Sequence, residues 1–295
     1  MESKKDSVSQ LLSLEKIKDI THSVISADGT NIGYYKFGHG PVVVLVHGGM
    51  ESAQSYTQLG EDLAENFTVC IPDRRGRGLS GPHGQDYSIQ KEIEDIASIL
   101  AKEGNSYLFG VSSGALIALQ AGLQLSSVYK VAAYEPPLYE PIERKAWNKL
   151  LARYEKEIAQ GQEAKALVTI MKGLKVGPPI FNFIPRRLLE FLVKKMVEGE
   201  DTETEITLKE LVPTMHYDFQ LEGKPEDFEH MPIEVLLLGG SKSPGYLKSS
   251  IRDVEKILPH AKCIEFSGLN HLGAGNADQG GKPALVAQEL RRFFN

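Results

Sequence analysis

The run "PVVVLVHGG" (Pro41–Gly49) limits the architecture more than any other stretch. Val42, Val43, Val44, Leu45 and Val46 offer no polar face to water. A strand like that is buried on both sides, which places it in a parallel sheet with helices over both faces. The flanking sequence fits. "HSVISA" and "NIGYYKFG" read as strands joined by "ADGTN", whose Asp-Gly pair is a hairpin signal. After the valine run, "SYTQLGEDLAENF" reads as helix, "FTVCIPD" as strand, and "SIQKEIEDIASILAKEG" as an amphipathic helix with Ile93, Ile96 and Leu100 on one side. "SYLFGVS" is strand, "SGALIALQAGLQL" helix and "VYKVAAYEP" strand, the alternation that builds a parallel sheet. A short helix through Leu11, Leu14, Ile17 and Ile20 is expected over residues 8–20.

The alternation stops after Pro137. From 138 to 230 the chain is charged and helix-like, as in "ERKAWNKLLARYEKEIAQ" and "RRLLEFLVKKMVEG", interrupted by "VGPPIFNFIP". It resumes with "IEVLLLGG", a helix near 245–258, "AKCIEFSG" and the closing helix "KPALVAQELRRFF". The expected organisation is an α/β core of residues 1–137 and 231–295, with a helical cap of residues 138–230 inserted after the sixth strand. Trp147, Met171, Phe181, Phe183, Phe191 and Met196 are expected inside the cap, lining a pocket or packing the cap itself.

Net charge is −6, which gives no basic footprint for nucleic acid. The charged start "MESKKDSVSQLLSLEKIKDI" lacks a signal h-region, and no segment reaches the roughly 20 apolar residues of a membrane span. A cytoplasmic location is expected. Cys70 and Cys263 both fall in strand-like runs and read as reduced core residues. The eight histidines show no metal-binding spacing, so neither metal nor cofactor is expected. "GRGLSG" (Gly76–Gly81) matches a dinucleotide fingerprint, but Pro82, His83 and Gly84 follow where a helix would have to begin. Arg74, Arg75 and Arg77 in that loop read as structural rather than as an anion site.

The chemistry concentrates in "GVSSG" (Gly110–Gly114). It follows a strand and opens a helix, so a sharp turn would expose the Ser112 hydroxyl as a nucleophile beside unpaired helix N–H groups. "HGG" (His47–Gly49) ends the valine strand in a donor-rich loop. The backbone N–H groups of Gly49 (or Met50) and Ser113 could hold an oxyanion. Met50, Phe181 and Phe183 are expected against the substrate. "FSGLNHLGAGN" puts His271 in a glycine-rich loop after the last strand, where a general base is needed.

These motifs, with "IPDRRGRGLSG" and the late "GLNH", resemble those of the α/β-hydrolase superfamily, and of its capped members, over roughly residues 22–135 and 231–294. The resemblance implies a mostly parallel eight-stranded sheet whose second strand is antiparallel. It also implies the chain order nucleophile, acid, histidine. In many members the acid is an Asp in the loop after "IEVLLLGG". Here that slot holds Ser243, 28 residues before His271, and a serine cannot stabilise an imidazolium as a carboxylate does. Some relatives carry the acid after the preceding strand, and here that residue is Glu135 in "VAAYEPPL", locked behind by Pro136 and Pro137. A Ser/His dyad, or Asp73, Asp218, Asp227 or Asp253 as the acid, are the alternatives.

The resulting expectation is a serine hydrolase of a small-molecule carboxylic ester, thioester or lactone. A serine at the elbow disfavours dehalogenase and epoxide-hydrolase chemistry, which in this superfamily uses an aspartate. C–C hydrolysis or cofactor-free peroxidase activity would use the same residues. A non-catalytic or slowly turning-over small-molecule receptor on the same fold is the alternative from another class. Oligomeric state is not legible.

Overall fold

The structure is a computed structural model that describes residues 21–138, 144–177, 179–199, 206–258 and 260–295. The helix expected over 8–20 lies outside the described residues. The strands fall on the apolar runs: β1 (Thr21–Ile25), β2 (Asn31–Gly38), β3 (Val42–Val46), β4 (Thr68–Pro72), β5 (Ser106–Val111), β6 (Val128–Tyr134), β7 (Glu234–Gly240) and β8 (Lys262–Phe266). They form one eight-stranded sheet in the order β1-β2-β4-β3-β5-β6-β7-β8. β2 runs antiparallel to β1 and β4, and the other pairings are parallel. The expected sheet is therefore present, second strand included.

Helices α1 (Thr57–Leu63), α2 (Ile89–Glu103) and α3 (Ser113–Gln124) precede β6. The period-two alternation of β3 divides its side chains between two cores. Val44 and Val46 face a cluster that holds Ile96 of α2 and Leu116 of α3. Val43 and Leu45 face one that holds Leu59 of α1 and, from the C-terminal helix, Val286 and Leu290. Both faces of the sheet are dry, as the unbroken valine run requires.

Between β6 and β7 the described residues form α4 (Arg144–Ala159), α5 (Glu163–Leu174), α6 (Arg186–Gly199), α7 (Leu208–Leu211) and α8 (Met215–Asp218). This insertion buries its own cluster, including Tyr154, Ile170, Leu189, Val193 and Val197, and Met50 and Met215 pack against it. α9 (Gly245–Ile257) and α10 (Pro283–Phe294) complete the chain.

One core assignment is corrected. Cys70 is buried, but Cys263 is exposed, because β8 is the last strand of the sheet and is covered only in part. Both thiols are free. Among the described residues no helix is long and apolar enough to cross a membrane, and no group of His, Cys, Asp and Glu is arranged to hold a metal ion.

Candidate active site

Ser112 turns the chain from β5 into α3 with φ 53 and ψ −125. Backbone of that kind in a non-glycine residue costs about 1–3 kcal/mol and persists only where its surroundings hold it. The surroundings here are close. A Cβ on Gly110 would overlap the Gly114 carbonyl oxygen, and one on Gly114 would overlap the carbonyl oxygens of Val46 and His47. Both glycines of the elbow are thus spacers between backbones. Ser112 donates its N–H to the Tyr134 carbonyl at 2.9 Å. Ser113, the first residue of α3, has no intrahelical acceptor for its own N–H.

The residue after Tyr134 is Glu135, also left-handed at φ 51 and fully buried. Its Oε2 lies 2.6 Å from Nδ1 of His271, and its Oε1 accepts the Gly240 N–H at 2.7 Å. Gly239 gives the carboxylate room, since a Cβ there would stand 3.2 Å from Oε1. Behind it, the Pro136 carbonyl accepts the Ser250 hydroxyl at 2.6 Å, and the Ser250 oxygen accepts the Leu138 N–H at 3.1 Å. The prolines and Ser250 together fix where the strand ends. His271 is 14% exposed in its side chain, enough for its free edge to meet solvent or a ligand. Its loop is tied back by Tyr134, whose hydroxyl donates to the Asn270 carbonyl at 2.7 Å. Tyr134 thus bonds Ser112, precedes Glu135 and holds the residue before His271. Ser243 is buried, and its hydroxyl oxygen has no hydrogen-bond partner among the described residues.

The glycine loop after β3 lies against the elbow. A Cβ on Gly48 would stand 3.1 Å from Ser112 Cβ and 2.8 Å from Glu51 Oε2. Gly48 donates its N–H to Glu51 Oε2 at 2.8 Å, and the Tyr56 hydroxyl donates to the same oxygen at 2.8 Å. Burial raises the Glu51 carboxyl above the usual carboxylate range, although those two donors pull the other way. Met50, next in the loop, has φ 55. Three of the five left-handed non-glycine residues among the described residues, Met50, Ser112 and Glu135, therefore meet at this one place. His47 is wholly buried, with Nε2 accepting the Arg74 N–H at 3.0 Å and Nδ1 2.9 Å from the Gly48 carbonyl. Burial, then the nearby Arg77 and Arg74, keep it neutral.

The arginine loop is structural, and its anions come from the chain. Arg75 pairs with Asp95 at 2.6 Å and Asp28 at 2.9 Å. Arg74 meets Glu92 at 2.8 Å and Asp218 at 2.8 Å, and Arg77 meets Asp218 at 2.5 Å. Asp218 also accepts the Ser113 hydroxyl at 2.7 Å and lies close to Gly49, whose Cβ would stand 3.1 Å from its Cγ. Burial raises the Asp218 carboxyl, but Arg77 and Arg74 outweigh that and hold it at about 2. The insertion therefore reaches the elbow through a carboxylate. The other candidate acids serve elsewhere: Asp73 accepts the N–H groups of Ala53 and Leu79, Asp227 that of Lys224, and Asp253 pairs with Lys256.

The ligand-lining expectations divide. Met50 and Phe181 pack on the cluster of the insertion, as do Trp147 and Met171. Phe183 is 84% exposed, and Phe191 and Met196 are exposed as well. These three lie on the surface and do not pack the insertion's buried cluster. A cavity of about 350 Å³ beside the arginine loop is lined by Tyr35, Gln54, Asp73, Arg77, Ile206 and Leu211 among others, and neither Ser112 nor His271 lines it. Sequence reading missed Glu51, because a single glutamate two residues past a glycine pair carries no spacing signal. It also missed the bond from Asp218 to Arg74, 144 residues away.

A profile of the alpha/beta hydrolase family matches residues 43–288. An uncharacterized hydrolase, YraK, of Bacillus subtilis (strain 168) is 26% identical over 259 residues, covering 86% of this chain and 90% of that protein. N-formylmaleamate deformylase of Pseudomonas putida is 33% identical over 142 residues, 46% of this chain and 52% of that one. The crystal structure of an alpha/beta hydrolase from Sphaerobacter thermophilus superposes with a TM-score of 0.75 at 26% identity, covering 93% of this chain and 100% of the other.

Proposed function

The chain belongs to the alpha/beta hydrolase family, and from that premise we propose that it is a serine hydrolase cleaving a carboxylic ester, thioester or lactone of a small molecule. Ser112 attacks the carbonyl carbon as His271 Nε2 takes its proton. Glu135 holds the His271 tautomer with Nδ1–H donated and stabilises the imidazolium. The N–H groups of Gly49 and Ser113 receive the oxyanion. His271 then returns the proton to the leaving oxygen or sulfur, and water, deprotonated by His271, releases the acid from Ser112. Residues 138–230 act as a cap over this site, with Met50 and Phe181 at the junction where substrate enters.

The observation that carries this reading is the 2.6 Å contact of buried Glu135 with His271 Nδ1, behind a serine held at φ 53. A buried carboxylate on that nitrogen is what a general base needs and a passive receptor does not. A second reading, cleavage of an acyl C–N bond by the same steps, draws on the likeness to the deformylase. The test is fluorophosphonate labelling, followed by turnover of p-nitrophenyl esters from acetyl to dodecanoyl and of matched anilides. One label at Ser112, lost in Ser112→Ala, with ester turnover, is expected. Labelling that survives Ser112→Ala overturns the nucleophile. Turnover of the anilides alone moves the activity to C–N bonds.

A further inference from the structure

Nine large apolar side chains are exposed among the described residues, and six of them lie within the seventeen residues 180–196: Ile180, Phe183, Leu188, Phe191, Leu192 and Met196. Four of the six stripe one side of α6 at helical spacing, 188, 191, 192 and 196. The other stripe of the same helix, Leu189, Val193 and Val197, is buried in the insertion's cluster. Ile180 and Phe183 extend the outer stripe from the turn just before the helix. This helix is therefore apolar on two faces, and only one of them has a partner within the chain's described residues. A contiguous apolar surface of this kind marks an interaction site.

The charge around the patch indicates what it meets. Residues 175–198 contain Lys175, Arg186, Arg187, Lys194 and Lys195 against Glu190 and Glu198, a net +3 in a chain of net −6. Lys175, Arg187, Lys194 and Lys195 are exposed, and Lys195 lies over the Phe191 ring at 4.9 Å from its centroid. Arg186 is drawn inward to Glu157 and Glu190. Long cationic side chains flanking exposed Phe, Leu and Met, on a helix lying flat on the protein, match the pattern of an interfacial helix. A second copy of the chain docked face to face would set +3 against +3.

We propose that the outer face of α6, with Ile180 and Phe183, docks this protein on an anionic lipid surface. The apolar stripe enters the headgroup boundary while Lys175, Arg187, Lys194 and Lys195 meet lipid phosphates. α6 stays helical and folded on its inner stripe throughout, so docking requires no opening of the insertion. The proposal is independent of the hydrolytic reading, because its readout is binding.

The test is co-sedimentation of the full chain with phosphatidylcholine vesicles and with vesicles in which about a third of the lipid is phosphatidylglycerol. Binding to the anionic vesicles that weakens with salt is expected. Phe183→Ser with Phe191→Ser should lower the partition coefficient about tenfold or more. Arg187→Gln, Lys194→Gln and Lys195→Gln together should lower it roughly 10²-fold. All five positions are exposed, so circular dichroism and melting temperature should match the parent, and fluorophosphonate labelling should persist. Absence of binding to anionic vesicles overturns the proposal. So does equal binding to neutral vesicles, which would leave the cations without a role. Light scattering that shows a dimer broken by Phe191→Ser would assign the face to a second copy instead.

Discussion

Replacing Glu135 with Gln tests the site at its most constrained atom pair. The carboxylate serves two donors at once, Gly240 N–H at 2.7 Å through Oε1 and His271 Nδ1 at 2.6 Å through Oε2. An amide has one acceptor and one donor group. If its oxygen keeps Gly240, its NH₂ faces His271, and Nδ1 must become the acceptor. The ring proton then sits on Nε2, the nitrogen that receives the Ser112 proton in the proposed mechanism. If its oxygen turns to His271, the NH₂ group opposes the Gly240 N–H inside a buried site, an unmet donor costing about 1–3 kcal/mol. Either arrangement weakens the base, and the imidazolium has lost its counter-charge. The expected fall in kcat is roughly 10²- to 10⁴-fold. Loss of a charge-assisted hydrogen bond should also lower stability by about 1–3 kcal/mol. The assay is the fluorophosphonate labelling rate, which needs no knowledge of the natural substrate, together with kcat on the best ester and a thermal melt. A Glu135→Gln protein that labels within threefold of the parent, beside an inert Ser112→Ala, would refute the reasoning. Glu135 would then be a structural acceptor for Gly240 alone.

Three further outcomes are expected. Adding Ser243→Asp to Glu135→Gln should recover roughly tenfold of the labelling rate, since Ser243 is buried, its oxygen has no partner among the described residues, and it stands in the slot that the resemblance gives to the acid. Asp218→Asn should lower stability by about 3–5 kcal/mol by leaving Arg74 and Arg77 short of a counter-charge. Because the native carboxyl is held at about 2 against 3.8, its contribution is full above pH 4 and is lost as pH falls from about 4 to 2. Melting temperatures across that window should therefore decline less steeply in Asp218→Asn. Gly114→Ala should cost about 3 kcal/mol or more, read by urea denaturation, because the new methyl would overlap two carbonyl oxygens at the end of β3.

The sheet was readable because each strand carries its burial in its own residues: Val42–Val46 have no polar side to show, and Asp28-Gly29 announces the hairpin. The elbow was readable because Gly110, Ser112 and Gly114 meet a steric need that few other residues can meet. Glu135 was readable only in part, from two prolines behind a carboxylate, and its contacts with Gly240 and His271 required coordinates. α6 was the hardest to read. Leu188, Leu189, Phe191, Leu192, Val193, Met196 and Val197 span an apolar arc too wide for one buried stripe, so periodicity does not say which part of it faces inward, and Phe191 and Met196 face outward instead. Cys263 was misplaced for a related reason, since a strand sequence does not disclose that it will be the last in its sheet. The ion pairs of Asp218 join loops far apart in the chain, and no local rule links them.

The two partners of Glu135 lie 105 and 136 residues beyond it. A chain made from its N-terminus lays down β6 long before β7 or the His271 loop exists. Until they arrive, closing β6 into the dry interior would strand a carboxylate without donors, a penalty of several kcal/mol. The same acid thus acts as a clock on the sheet: the carboxyl end of β6 is expected to stay open to water until β7 and the His271 loop have been made. A ribosome-bound chain cut short before His271 should hold its first strands and leave the carboxyl end of β6 open, so the proposed site and this end of the sheet would close in one late step.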